Sequence, residues 1–268
     1  MEERLAGGKL ILDSPAEAVV RLRISNPERR NALDHDILDA LAETLPRLDR
    51  GIETRCLLIT GAPPVFSAGY DIASIPSETF ARDAEALVAH PFHAAMEAIA
   101  AHPWPTLAAI NGHCIGGGLE LAITCDLRIC ASGAKLGMPP VKLGLVYGHT
   151  GLGKFLDTVG LARTKELFLT GRNFEASRAE EIGLVHEVVE AERLEQAAVE
   201  LAAEIAANAP LSMRGNKSAI DLLNASPILT EQKEAGLIAL RESCFSSEDL
   251  REGIQAFAEK RKPEWKGR

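Results

Sequence analysis

Residues 106–131 read TLAAINGHCIGGGLELAITCDLRICA, and this stretch decides the fold class. Its first six residues form an apolar strand pattern, and residues 126–131 (DLRICA) alternate with the period of a second strand. Between them, LELAITC reads as a helix entered through Gly116, Gly117 and Gly118. A strand that turns straight into a helix and then into another strand is the unit of an α/β layer. Three consecutive glycines take every β-carbon out of the turn, so the backbone can come close to a ligand. The helix starting there offers unpaired N–H groups and the positive end of its dipole. Such a turn suits a phosphate or a developing oxyanion, and it equally suits close strand–helix packing. The spacing matches neither G-x-G-x-x-G nor the P-loop, and no Lys-Ser/Thr follows, which counts against a nucleotide site. Glu120 falls three residues after Gly117, on the same helical face. It is placed either to act as a base beside the Gly117 N–H or simply to fill an acidic first turn.

Outward from this unit the pattern repeats. Residues 18–25 (AVVRLRIS) alternate, with Ala18, Val20, Leu22 and Ile24 on one face. Residues 34–48 carry a helical stripe of Ile37, Leu38, Leu41, Leu45 and Leu48, which Pro46 should kink or end. RCLLIT (55–60) is a short buried strand, and GAPPVFSAGYDI (61–72) reads as a loop in which Asp71 is placed to cap a following helix. Ser67 has no G-x-S-x-G elbow around it to mark a nucleophile. Beyond residue 150 the signals turn helical: short helices stopped by glycine, a stripe of Leu194, Ala198, Leu201, Ala202 and Ile205, and a break at Pro210. The expectation is an α/β (α+β) core over residues 1–205 and a helical region over 206–268.

Composition excludes several classes of function. The 268 residues carry 29 basic and 38 acidic side chains, a formal charge of −9. Nucleic acid and anionic membranes both need a net positive surface, so neither is expected as a partner. Five cysteines, odd in number and without a CxxC pair, suggest reduced, buried thiols rather than disulfides or zinc. Seven histidines form no HExxH pair, so no metal site is expected. No run of about 18 apolar residues occurs, and MEERLAGGKLILDSP lacks the apolar core of a signal peptide. A cytoplasmic location is the corresponding expectation.

Five motifs in order, NPERRNAL, LLITG…FSAGYDI, AAINGHCIGGGLELAITCDLRICA, TGRNFEASRAEEIGLVHEVV and EDLREGIQAFAEKRKPEW, resemble the enoyl-CoA hydratase/isomerase (crotonase) superfamily. The resemblance runs from about residue 10 to the end. It implies a spiral of ββα units with two roughly perpendicular sheets, and a carboxy-terminal helical region that builds a homotrimer or a dimer of trimers. It also implies an acyl-CoA substrate whose coenzyme A is part of the substrate, with no separate cofactor. Carried over by position, the backbone N–H groups of Tyr70 and Gly117 hold the thioester oxygen. Ala68, Gly69, Asp71 and Ile72 then lie along the coenzyme A, with adenine near Ala68, Asp71 and Ile72. Phe257 and Lys260 match positions that reach a neighbouring subunit's coenzyme A.

Hydratases of this superfamily use two glutamates. The first matches Glu120; the second falls at Pro140 here, and proline moves no proton. KLGMPPVKLGLVYGH (135–149) is therefore expected to be a wall of the site with one acid–base group removed. P-V-K-L-G-L-V-Y, the SAG-x-DI run and the ending EKRKPEW are similar to bacterial methylmalonyl-CoA decarboxylase. That similarity gives Tyr147 a place in the pocket and makes decarboxylation of a 2-carboxyacyl-CoA the first expectation. Losing a glutamate would relieve repulsion of about 4 kcal/mol against a substrate carboxylate about 4 Å away. Tyr70 replaces that enzyme's histidine, and Pro139 its substrate-binding threonine. The alternative expectation is an enoyl-CoA hydratase or isomerase with Glu120 as the single acid/base. A non-catalytic coenzyme A or RNA binder is the remote one.

Overall fold

A computed structural model describes residues 2–48, 53–71, 88–225 and 230–268. Among these residues the strands form two sheets. The larger places β1 (Glu3–Leu5), β2 (Leu10–Ala16), β3 (Val19–Ile24), β4 (Cys56–Gly61), β6 (Thr106–Ile110), β8 (Leu127–Ala131) and β11 (Glu187–Val189) side by side in that order. β1 to β3 pair antiparallel, and every pair from β3 onward is parallel. The smaller runs β10 (Asn173–Glu175), β9 (Lys135–Gly137), β7 (His113–Ile115), β5 (Val65–Ser67). In it β5, β7 and β9 are parallel and β10 antiparallel. The helices are α1 (His35–Thr44), α2 (His93–Ala100), α3 (Gly117–Thr124), α4 (His149–Thr170), α5 (Ala176–Glu181), α6 (Leu194–Ala206), α7 (Pro210–Ala225), α8 (Glu231–Ser246) and α9 (Glu248–Glu259).

The large sheet has a core on each face, as side-chain alternation along a strand requires. Val20, Leu22 and Ile24 of β3 point into the main core with Ile37, Leu38 and Leu41 of α1. Val19 joins Cys56, Leu58 and Leu107 in a second core covered by Leu194, Ala198 and Ala202 of α6. Each fully buried aliphatic side chain contributes about 1.5–3 kcal/mol, so these two stripes fix the register of helix on sheet. Cys114, Cys125 and Cys130 sit in the main core and Cys56 in the second, all four as free thiols. Burial raises the Cys56, Cys125 and Cys130 thiols to about 12. The Cys244 side chain lies outside the described residues.

Several local expectations are corrected. Ala18 adopts a left-handed turn (φ 55°) and β3 starts one residue later. Residues 61–72 are not all loop, since β5 lies within them. Within DLRICA, residues 128–131 are buried on both faces, the Arg128 guanidinium donating to the carbonyls of Leu184 and Cys125 at 2.8 and 2.7 Å. The first two of the glycine-stopped helices expected after residue 150 are one 22-residue element, α4, bent where Gly160 leaves helical geometry (φ 73°, ψ 171°). Pro210 opens α7 instead of only breaking the chain, as a residue without an N–H can at the first helical position. From there on, the described residues form helices and no strand. Ser247 caps α9, accepting from the Leu250 N–H at 3.0 Å. Lys260 is the left-handed cap that ends α9, so Arg261 and Lys262 lie beyond the helix.

Candidate active site

Three parallel strands of the small sheet deliver the site. The segments leaving the carboxyl ends of β5, β7 and β9 carry Tyr70, Gly117 and Tyr147, and neighbouring parallel strands put those ends side by side. A backbone bond from the Gly116 N–H to the Gly137 carbonyl (2.9 Å) ties two of the segments together. Asn31 braces the third from below, its amide donating to the Ala62 and Val65 carbonyls at 2.7 and 2.8 Å.

Backbone direction matters next. Leu33 donates its N–H to the Gly69 carbonyl (2.8 Å) and accepts from the Asp71 N–H (3.0 Å). An extended residue between two groups bonded to one side turns its own N–H to the other side. Tyr70 is that residue, and its N–H makes no hydrogen bond among the described residues. The Gly117 N–H, first in α3, likewise has no partner among them. The two segments touch: a methyl group on Gly69 (φ 93°) would lie 2.8 Å from the Ile115 carbonyl oxygen and 3.1 Å from the Gly117 nitrogen. A methyl group on Gly117 would strike the Tyr70 ring at 2.6 Å. Glycine is thus required at both positions by close approach, and at Gly69 also by its positive φ.

One turn into α3, Glu120 is buried, with 4% of its surface exposed. Tyr147 donates its hydroxyl to Glu120 Oε2 at 2.5 Å, and the Tyr70 and Tyr147 hydroxyls are 3.1 Å apart. Burial raises the Glu120 carboxyl above its ordinary pKa; the Tyr147 hydrogen bond, Lys154 and His93 act against this. Burial likewise pushes both phenols up. Phe92 meets Tyr70 edge-on at 4.6 Å, and Phe168 tilts against Tyr147 at 5.4 Å. These are the chain's two tyrosines, both drawn into one site.

Other expected residues fall as follows. Ala68 is exposed and its N–H bonds the Arg30 carbonyl; Asp71 is buried. Ile72, and any helix that Asp71 was expected to cap, lie outside the described residues. Pro140 is buried at the start of a short 3-10 turn (Pro140–Leu143), with Pro139 as its cap. Ser67 is fully buried, its hydroxyl donating to the Asn31 carbonyl (2.8 Å) and accepting from the Gly69 N–H. Phe257 and Lys260 are not brought to this cluster within the chain. Phe257 borders a 610 Å³ groove with Leu250, Ile254 and Trp265. Sequence reasoning missed Phe92, Phe168, His93, Lys154 and Gly151. A side chain at Gly151 would lie 2.7 Å from both Glu120 Oε2 and Tyr147 Cε1. The one signal for it was a glycine in the first turn of a helix. Among the described residues no three of His, Cys, Asp and Glu are grouped to hold a metal, and no helix is long and apolar enough to cross a membrane.

The sequence profile described as Enoyl-CoA hydratase/isomerase matches residues 15–268. The chain belongs to the enoyl-CoA hydratase/isomerase family. Among its relatives, "Probable enoyl-CoA hydratase" of Bacillus subtilis is 38% identical over 252 residues, covering 93% of this chain and 95% of the relative. "Short-chain-enoyl-CoA hydratase" of Clostridium acetobutylicum is 33% identical over 260 residues, covering 95% and 96%. A crystal structure of an enoyl-CoA hydratase from Bacillus anthracis superposes with a TM-score of 0.88 at 33% identity, covering 97% of this chain and all of that one. Family membership makes this an acyl-CoA enzyme of the crotonase superfamily and agrees with the two-sheet α/β architecture. Similarity to the methylmalonyl-CoA decarboxylase in particular receives no support from these relatives.

Proposed function

We propose that the chain moves a proton on an enoyl-CoA thioester, hydrating the double bond or shifting it, with Glu120 as the single carboxyl acid/base. The observation that carries this reading is the buried Glu120 carboxylate, a helical turn from a Gly117 N–H that has no partner among the described residues, in a site where position 140 is proline. The names of the relatives point to the same chemistry. In this reading the thioester oxygen lies between the N–H groups of Tyr70 and Gly117, and coenzyme A, part of the substrate, runs past Ala68, Gly69 and Asp71. For hydration, Glu120 Oε1 takes a proton from water as the water oxygen bonds to Cβ. The double-bond electrons move through Cα onto the thioester oxygen, and the proton returns to Cα as the enolate collapses. For double-bond migration the same carboxylate removes an α proton from a β,γ-unsaturated thioester and returns it at the γ carbon. Two fixed N–H dipoles aimed at the enolate oxygen stabilise both routes, each worth about 10²–10³ in rate.

Decarboxylation of a 2-carboxyacyl-CoA is the second reading, favoured by one observation: position 140 is proline, and the polar groups beside Glu120 are the Tyr147 and Tyr70 hydroxyls instead of a second carboxylate. The C–CO₂ bonding pair would form the enolate directly, and CO₂ would leave. Glu120 beside a substrate carboxylate weighs against it. Assaying wild type, Glu120→Gln and Tyr147→Phe on crotonyl-CoA, a β,γ-enoyl-CoA and methylmalonyl-CoA, by product mass, separates the two. Our reading expects enoyl turnover that Glu120→Gln abolishes. Release of CO₂ that survives Glu120→Gln, with no enoyl turnover by wild type, would replace it with decarboxylation.

We also propose assembly as a homotrimer, or a dimer of trimers, in which Phe257 and Lys260 reach the coenzyme A of a neighbouring copy. Ile254 and Phe257 support this, standing 63% and 88% exposed on α9.

A further inference from the structure

The Tyr70 side chain has no part in the mechanism above, which uses only its backbone N–H. Yet its hydroxyl ends a string that crosses three segments: Tyr70 Oη, 3.1 Å to Tyr147 Oη, then 2.5 Å to Glu120 Oε2. A phenol has one proton to give and lone pairs to accept with. With Glu120 ionised, Tyr147 must spend its proton on the carboxylate. The Tyr70 contact is then satisfied in one direction, Tyr70 donating and Tyr147 accepting. Glu120 Oε1 makes no hydrogen bond among the described residues, so the string occupies one carboxylate oxygen and leaves the other as the basic one.

We propose that the Tyr70 hydroxyl is a positioning residue: by donating to Tyr147 it polarises the Tyr147–Glu120 hydrogen bond, fixing which carboxylate oxygen is free and how readily it takes a proton. The proposal rests on Glu120 being the acid/base of the reading above. Its physical basis is that successive hydrogen bonds in a poorly solvated site strengthen one another. The ring is held for this task, edge-on to Phe92, stacked on Tyr147 at 6.5 Å and packed over the Gly117 Cα. Other groups face Glu120 from the elements around it, Lys154 from α4 and His93 from α2. Both favour the carboxylate when charged, and neither belongs to the string. When Glu120 takes a proton on Oε1, Oε2 goes on accepting from Tyr147 but as a neutral and weaker acceptor, so the string keeps its direction, loses strength, and protonation of Glu120 is felt at Tyr70.

The test is a double-mutant cycle with two readouts. Tyr70→Phe keeps the backbone N–H and the ring, and removes only the hydroxyl. The Glu120 midpoint is followed by NMR of ¹³C-labelled glutamate carboxyls, assigned with Glu120→Gln, in wild type, Tyr70→Phe, Tyr147→Phe and the double variant. The acid limb of kcat/KM on an enoyl-CoA is measured in parallel. Tyr147→Phe should move the midpoint upward most. Tyr70→Phe should move it upward by less and lower kcat/KM on the acid side by about twofold. In the Tyr147→Phe background, Tyr70→Phe should add nothing. A Tyr70→Phe variant with an unmoved midpoint, or one whose effect is equal in both backgrounds, overturns the proposal. Because the titration needs no substrate, absence of enoyl turnover sinks the functional reading without touching this result.

Discussion

At the scale of single residues, Glu120 is the position where stability and chemistry oppose each other. Its carboxyl is raised by burial, so the folded state holds this proton more tightly than the unfolded chain does. Stability from that proton is fully present below the ordinary carboxyl pKa and is lost as pH rises through the folded value. Glu120→Gln should therefore raise the melting temperature at pH 8, by about 2 °C, and the advantage should vanish near pH 4; calorimetry at the two pH values checks it. The same variant should lose about 10²–10⁴ in enoyl-CoA turnover, the usual span for a positioned acid/base. In the wild type, activity that needs the carboxylate should fall on acidification with a midpoint above the 4.5 of an ordinary glutamate, read from kcat/KM against pH. Glu120 and Gly117 were legible in the sequence because both signals are local: a glycine run, and a carboxylate three residues on. The Tyr70–Tyr147 contact was not, because 77 residues separate the partners and only the parallel pairing of β5, β7 and β9 brings them together.

At the scale of elements, the long amphipathic segments could be read and the short strands could not. The stripes of α1 and α6 span enough residues for a 3.6 period to register. β5, β7, β9 and β10 have three residues each, too few for alternation to show, yet the first three are the strands that carry the site. Gly151, one of the residues missed, lies in the first turn of α4 against Glu120 and Tyr147. Gly151→Ala makes a clean test of how tightly α4 closes the site. Alanine favours a helix over glycine by about 1 kcal/mol, so far-UV circular dichroism should remain unchanged. Its methyl group must displace the carboxylate or the phenol, and turnover should fall by at least about tenfold. Unchanged turnover would mean that α4 yields without disturbing Glu120. Gly117→Pro serves less well, because added atoms there also push the Tyr70 ring.

At the scale of the molecule, α7 to α9 leave Ile220, Ile254 and Phe257 largely exposed, an apolar surface that assembly would cover. Ile254→Glu should convert the proposed trimer to a monomer, and it should make the melting temperature independent of protein concentration where the wild type's is not. Light scattering that finds the wild type already monomeric at micromolar concentration counts against assembly. The four buried thiols supply a clock of another kind. With Cys56 under α6 and Cys114, Cys125 and Cys130 on the opposite side of the sheet, neither group can meet an alkylating reagent until its own layer opens. In a Cys244→Ser background, mass-resolved labelling over hours would time the two openings separately. If α6 lifts away before the main core loosens, Cys56 is modified first, and the order of labelling becomes a record of how the molecule comes apart.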